Sequence, residues 1–367
     1  MTPREHIRAV FNSKKNDCPP ASIRLDLWHK EMSLKDSLPE EAKGMSLGEL
    51  EDSLGFCRTA RYRSNPRIFF KNSTVESLEK AGEKVDKYIF AEGLALSRVT
   101  AYDNVNKSLA GHIIKYPLET EEDYDLILSR MQDAYVDIEF EDFEDFDAAT
   151  GDAGLPVFII GPCPAHHLML EFCGYENFFL HMFDFPEKVD SLINHFERIY
   201  RRDIWPVVCG LNAELILHGA HFSSQMTPPP IFEKYFLPYF KEFNELMHSH
   251  NKKVIWHADA EMGNLLDLVI EAGFDGTDCL ICEPLVKQKM EEYFDVWQGN
   301  IVCWGGLPSV IFEHSYPLEK YMSHVDQLIN VTKDRKDFIF GASDNVMPGA
   351  DWNRVRILAE KLRFMEA

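Results

Sequence analysis

His257-Ala258-Asp259 is the segment of this 367-residue chain whose residue types and spacing most directly suggest chemistry. It follows the apolar run Lys253-Val254-Ile255-Trp256, and residues two apart on an extended chain point to one face, so its imidazole and carboxylate can reach a single ion. A zinc ion would accept both, and a third ligand from Asp344, His221 or Cys303 would leave one position open for substrate. Reactive types also follow the other apolar runs: Arg24, Asp26, Trp28 and His29; Gly161-Pro162-Cys163; His218-Gly219-Ala220-His221; Cys279 with Cys282 and Glu283; Cys303-Trp304-Gly305-Gly306; and Ser343-Asp344-Asn345. Taken singly, such a histidine reads as a satisfied polar residue and such a cysteine as a small hydrophobe. Their concentration at run ends reads as an active site. Arg24 either offers its guanidinium fork to a substrate carboxylate, with Trp28 as a stacking wall, or closes a salt bridge with Asp26. His221 reads as a third ligand, a general acid or a plain loop histidine. Cys279-x-x-Cys282 has no matching second pair, which argues against a structural zinc knuckle. The chain has no Walker loop, no Gly-x-Gly-x-x-Gly after a strand and no Gly-x-Ser-x-Gly elbow, so nucleotide, dinucleotide and serine-hydrolase readings lose their usual supports.

The elements that must position these groups alternate. Short apolar runs at Val157–Ile160, Glu214–Leu217, Lys253–Trp256, Gly276–Leu280, Ile301–Trp304 and Phe338–Phe340 are separated by stretches of helical period at Pro186–Tyr200, Pro230–His250, Gly263–Ala272, Leu318–Thr332 and Asp351–Met365. Near-continuous apolar strands between helices predict a parallel sheet buried on both faces. With Ser22–Trp28 as an earlier strand, seven are visible. An eight-stranded (β/α)8 TIM barrel with one further strand is the simplest closure, an open doubly wound sheet the alternative. The sequence predicts one such barrel domain over residues 1–367, with residues 30–150 an α/β insert or extension packed on it. That stretch contains a possible hairpin near Leu94–Tyr116 and the acidic run Asp137–Asp147. Phe140, Phe143 and Phe146 recur there every three residues, as on an amphipathic helix with a solvated acidic face.

Composition narrows the function classes. With 45% apolar residues, 27% charged residues and a formal net charge of −22, the chain reads as an ordinary globular protein. That charge offers nothing to neutralise a phosphate backbone, so nucleic acid is not an expected partner, and anionic membranes are disfavoured by the same sign. No apolar stretch approaches the roughly 20 residues of a membrane span, and the N-terminal residues lack the pattern of a signal peptide. The expectation is a cytoplasmic protein whose eight dispersed cysteines are reduced.

The order of segments resembles the uroporphyrinogen decarboxylase superfamily from about Pro156 onward. The resemblance is carried by Gly174-Tyr175-Glu176-Asn177-Phe178 followed by Asp184-Phe185-Pro186-Glu187, by Pro228–Pro238 with Tyr235-Phe236-Leu237-Pro238-Tyr239, and by Lys253–His257. It continues through Glu271-Ala272-Gly273-Phe274-Asp275, Trp304-Gly305-Gly306 and Val346-Met347-Pro348-Gly349. It implies a (β/α)8 barrel with its site at the C-terminal mouth.

The superfamily holds cofactor-free decarboxylases and cobalamin-dependent methyltransferases. The decarboxylases carry an Arg-Gln-Ala-Gly-Arg signature that holds substrate carboxylates; here the equivalent strand reads Ile23–His29, with Arg24 kept and Asp26 added, a poor arrangement for a tetrapyrrole. Methyltransferases to coenzyme M use a zinc site of the form His-x-Cys plus a distant Cys. This chain matches at His257, but Asp259 stands in the first cysteine position and Asp344, or Ser343, near the second. Carboxylates in place of thiolates give a harder site, suited to polarising an ether oxygen. The resemblance therefore implies metal ligands His257, Asp259 and Asp344, catalytic roles for His257, Arg24, Asp26 and His221, and transfer of a methyl group from a small methoxylated donor. The acceptor would be Co(I) of a corrinoid on a separate protein, because the chain lacks an Asp-x-His-x-x-Gly corrinoid motif. Alternatives are a decarboxylase of a non-tetrapyrrole acid, a methylcobalamin-dependent methyltransferase to a thiol or folate, or a binding protein. A homodimer is also compatible with this reading.

Overall fold

The computed structural model describes residues 1–12, 18–80, 82–90, 93–102 and 111–366. Its central feature is a ring of parallel strands: β1 (Arg61–Arg63), β2 (Val157–Gly161), β3 (Leu215–Ala220), β4 (Lys253–His257), β5 (Gly276–Asp278), β6 (Cys303–Pro308) and β7 (Phe338–Ser343). Strands β1 to β5 pair in sequence order, and β6 pairs with β7 over its full length. Bridges Gly276↔Val302 and Leu280↔Gly305 join β5 to β6, and Ala21↔Phe340 joins β7 to the extended segment 21–25. That segment returns to the start of the ring through Cys57 N–H to Ala21 O at 2.7 Å and Thr59 Oγ1–H to Ile23 O at 3.3 Å. The barrel therefore closes as a TIM barrel with eight staves, as the alternation of elements predicts.

Two expectations are corrected. The first stave is shorter than Ser22–Trp28, because Asp26–Leu34 is a helix and carries Trp28 and His29 away from the strand. The missing stave is β1, at Arg61–Arg63, whose three residues, two of them arginines and none fully buried, are too few to leave an apolar signature. Residues 30–150, read from sequence as one insert, supply this stave and are otherwise divided. The chain forms two compact units, one of Met1–Ser64, Phe140–Gly161 and Asn212–Ala367, the other of Asn65–Glu139 and Pro162–Leu211.

Physical chemistry accounts for the barrel unit. Helix Pro3–Phe11 starts at a capping box in which Thr2 and Glu5 satisfy each other's backbone N–H, with Pro3 in the first turn where no donor is missed. Its apolar face places Ile7, Val10 and Phe11 against Leu155, Val157, Ile159, Leu215, Leu217, Ile255, Val302, Trp304 and Ile339, sealing the barrel's floor. Complete burial of such aliphatic side chains is worth about 1.5–3 kcal/mol each. This end of the barrel is sealed by apolar side chains, and ionisable residues such as Lys253, Asp275 and Asp337 lie around its rim.

The second unit is built differently. Arg67–Phe70 pairs antiparallel with Ala134–Asp137, and Ser73–Lys80, Glu83–Phe90, Ala95–Tyr102 and Gly111–Lys115 form a four-stranded antiparallel sheet. The hairpin expected near Leu94–Tyr116 corresponds to the last pair of strands, and residues 103–110 between them lie outside the described residues. Helices Glu121–Arg130, Gly174–Asp184 and Pro186–Asp203 complete the unit. The acidic run is not one helix: exposure alternates from Ala134 to Glu139, as on an extended chain, and the helix begins only at Phe143. Among the described residues no helix is long and apolar enough to cross a membrane.

Candidate active site at the barrel mouth

The C-terminal ends of the staves bring together Arg24, His221, His257, Asp259, Asp278, Cys279 and Asp344, and the long side chain of Arg61 reaches them from the start of β1. Asp278 ends β5, is 1% exposed, and sits beside His257 at the end of β4, the two being register partners. Arg61 on β1 clamps Asp278 with both guanidinium nitrogens, Nη2 at 2.7 Å from Oδ2. His257 Nδ1–H donates to the same Oδ2 at 2.8 Å. That bond fixes the ring and turns Nε2 to the mouth, where it lies 3.3 Å from Asp259 Oδ2 and 3.4 Å from Asp344 Oδ1.

His221 reaches the cluster from the end of β3. Its Nδ1–H donates to Asp259 Oδ1 at 2.6 Å, and its ring stands edge-on to His257 with centroids 5.4 Å apart. Arg24, 6% exposed, donates to Asp344 Oδ1 and lies 3.5 Å from Asp26 Oδ1 and 3.6 Å from Cys279 Sγ. Asp26 in turn accepts Asn345 Nδ2–H at 2.7 Å.

The charges follow from these contacts. Burial disfavours the imidazolium of His257, yet its hydrogen bonds to Asp259 and Asp278 hold its pKa well above the usual histidine value. Burial would raise Asp278, but Arg61 and His257 press it well below the carboxylate range. Asp259 is likewise lowered against its burial by His221 and His257. A proton or a divalent cation can stand at the point where Nε2 and the carboxylates converge. Two groups offer one ligating atom per residue within 4.8 Å of one another: His221, His257 and Asp259, and His257, Cys279 and Asp344. The two groups share His257, whose other ring nitrogen is anchored to Asp278, and each consists of donor types that zinc accepts.

Beside this cluster a cavity of about 390 Å³ is lined by Arg24, Asp26, Glu51, Arg61, Arg63 and Thr150, among others. Glu51 is 2% exposed and accepts the Thr59 N–H at 3.2 Å; burial pushes its carboxyl up to about 7. The cavity thus holds a carboxyl that keeps its proton to an unusually high pH, together with guanidinium groups, next to the mouth.

Of the residues singled out in the sequence, His257, Asp259, Asp344, Arg24, Asp26 and His221 all stand in or next to this cluster. Arg24 takes the salt-bridge alternative, and its links to Asp344 and Asp26 replace the free fork. Trp28 is 2% exposed and stacked on Trp352 at 4.7 Å, so it is not a pocket wall. Cys303 begins β6 and therefore lies at the opposite end of its strand from the mouth, which removes it as a third ligand. Sequence reasoning passed over Arg61 and Asp278. The signal was a charged residue within an apolar strand run in Gly276-Thr277-Asp278, and Arg61 and Arg63 at period two on one face of β1.

The fold and the mouth define a barrel enzyme of one superfamily, and the comparison with known families agrees. The uroporphyrinogen decarboxylase (URO-D) family matches residues 113–364, more than half of the chain, and the chain belongs to that family. Among solved structures, a methyltransferase from Methanosarcina mazei is similar over 100% of both chains, with a TM-score of 0.60 at 12% sequence identity, a likeness of fold. A putative vitamin-B12 independent methionine synthase from Listeria monocytogenes covers 94% of this chain and 96% of its own at 10% identity, with a TM-score of only 0.41. No curated protein sequence matches the chain.

Proposed function

We propose that this protein is a methyltransferase of the uroporphyrinogen decarboxylase family that moves a methyl group from a small methoxylated donor to a corrinoid carried by a separate protein. The observation that carries the reading is the Arg61–Asp278–His257 chain, which presents Nε2 to two carboxylate oxygens at 3.3 and 3.4 Å. His257, Asp259 and Asp344 would hold a zinc ion there. A bound zinc would supply Lewis acidity to an ether oxygen whose departure as a free alkoxide or phenoxide is otherwise slow at neutral pH.

The chain's own residues have separable tasks. Asp278 and Arg61 hold the imidazole still. Arg24 positions Asp344, and Asp26 with Asn345 backs Arg24. His221, half-exposed above Asp259, is placed to pass a proton to the leaving oxygen, which keeps the bonding electron pair as the carbon–oxygen bond breaks. The similarity of the fold to the Methanosarcina mazei methyltransferase supports this reading.

The test is elemental analysis of protein purified without chelators, followed by methyl transfer from methoxylated aromatics to a corrinoid protein. About one zinc per chain, lost in His257→Ala together with transfer, is expected. Absence of zinc after incubation with the metal, with carbon dioxide released from an acid substrate, would transfer the assignment to a decarboxylase.

A further inference from the structure

We propose that Cys279 is a ligand to the metal held by His257 and Asp344, giving the site a sulfur donor from the strand next to the histidine. The proposal rests on the metal reading of the mouth given above. It departs from the sequence reading, in which both positions that offer thiolates in related methyltransferases are carboxylates and the sulfur considered as a ligand is Cys303.

The geometry begins with the backbone. Asp278 completes β5 and Cys279 follows with φ +59°, a left-handed conformation that a residue with a Cβ adopts at a cost and keeps only where its surroundings hold it there. The kink separates the tasks of two adjacent side chains: Asp278 takes Nδ1 of His257, and Cys279 joins His257 and Asp344 in a group whose ligating atoms lie within 4.8 Å. A tetrahedral ion bound at about 2.0–2.3 Å would need these atoms only about 1 Å closer to one another. The thiol is 2% exposed and at present donates to the Asp344 carbonyl at 3.2 Å, a weak bond that a metal can replace.

The electrostatics complete the argument. Arg24 Nη1 touches Asp344 Oδ1 and stands 3.6 Å from Cys279 Sγ, so one guanidinium borders both the carboxylate and the sulfur. On ligation the sulfur–metal bond forms, the thiol proton leaves to solvent, and the charge gained on sulfur is offset by the metal and by Arg24. Cys282 is engaged elsewhere, with Sγ 3.5 Å from Gly306 O. A set of one imidazole, one thiolate and carboxylate oxygen is softer than an all-oxygen and nitrogen site and selects zinc over magnesium or manganese.

The experiment loads the full chain with Co(II) and records its absorption. Wild-type protein is expected to show the visible bands of tetrahedral cobalt together with a near-ultraviolet sulfur-to-cobalt charge-transfer band. Cys279→Ser is expected to keep the visible bands, lose the charge-transfer band, and bind zinc more than about tenfold more weakly, since even outer partners of a ligand are worth that much. Visible bands with no sulfur band in the wild type, or a sulfur band unchanged in Cys279→Ser, would overturn the assignment of Cys279 and leave the metal reading standing. No cobalt bound by the wild type would overturn both. Should Cys279→Ser not fold, X-ray absorption of the zinc-loaded wild type decides: one sulfur scatterer at about 2.3 Å supports the proposal, and a shell of nitrogen and oxygen alone overturns it.

Discussion

In the antiparallel unit, Asp86 is 3% exposed and its carboxylate receives Ser77 Oγ–H at 2.6 Å and Arg98 Nη2–H at 3.1 Å, with Lys84 Nζ 3.3 Å away. In the barrel, Asp278 is 1% exposed and receives Arg61 and His257. Both are buried acids held ionised by an arginine and a second donor, and both are lowered in pKa against their burial. They differ in where the chain of contacts ends. Around Asp86 it ends at Glu171, which takes the other end of Arg98. From Asp278 it passes through His257 to Asp259, Asp344 and half-exposed His221 at a mouth. A buried ion pair is therefore no sign of function by itself; a buried pair that aims a ring nitrogen toward an open cluster of anions is.

The comparison breaks most visibly at His257. His257→Ala should take methyl transfer and bound zinc below detection while the circular dichroism spectrum stays that of the wild type; full turnover would return the cluster to the structural class. The next effect separates the two acids. Asp278→Asn leaves Arg61 facing a neutral amide and is expected to cost about 3–5 kcal/mol of stability and about 10–100-fold in zinc affinity. Asp86→Asn should lower stability by about 1–3 kcal/mol with zinc affinity unchanged. Denaturant titration and metal competition measure the two quantities, and equal zinc affinity in both variants would erase the distinction.

Smaller effects come from two groups buried without charge. His218 donates Nδ1–H to Gly161 O and accepts the Tyr239 hydroxyl at Nε2, and burial takes it down to about 4. Its unfolded form takes up a proton near 6.5, so the unfolded chain binds more protons between these values and stability is lost as pH falls from about 6.5 toward 4. His218→Gln should flatten that decline in urea midpoints. Glu51 has the opposite sign: raised to about 7, it holds its proton in the fold where the unfolded chain has released it, so stability falls as pH rises from about 4.5 through 7. Glu51→Gln should remove that slope with the least change in anything else.

The barrel was legible because its strands from Val157 onward are apolar runs bounded by polar ends, and helices such as Leu318–Thr332 coincide with their periodic segments. Stave β1 was not, since Arg61, Tyr62 and Arg63 give no apolar run; the arginines on this short strand are there to face the mouth. Among the site residues, His257 and Asp259 were readable from spacing along one strand. Asp278 and Arg61 are far apart in sequence, stand on strands that do not pair, and meet only across the closed barrel, which spacing cannot express. Cys303 was misplaced because β6 begins at that residue, so a shift of two positions moved it from one end of a stave to the other.

The barrel's last joint has a consequence for synthesis. Segment 21–25 completes its ring only by meeting Phe340, and helix Pro3–Phe11 finds part of its apolar floor on Ile339. Segment 21–25 and helix Pro3–Phe11 therefore complete their packing only after Phe338–Ser343 has been made, more than 300 residues later in the sequence, and this long-range pairing makes closure of the ring a late step of folding. Until then the nascent chain presents an unsealed sheet edge, which makes the emerging polypeptide a client for chaperones at the stage just before Phe338–Ser343 appears.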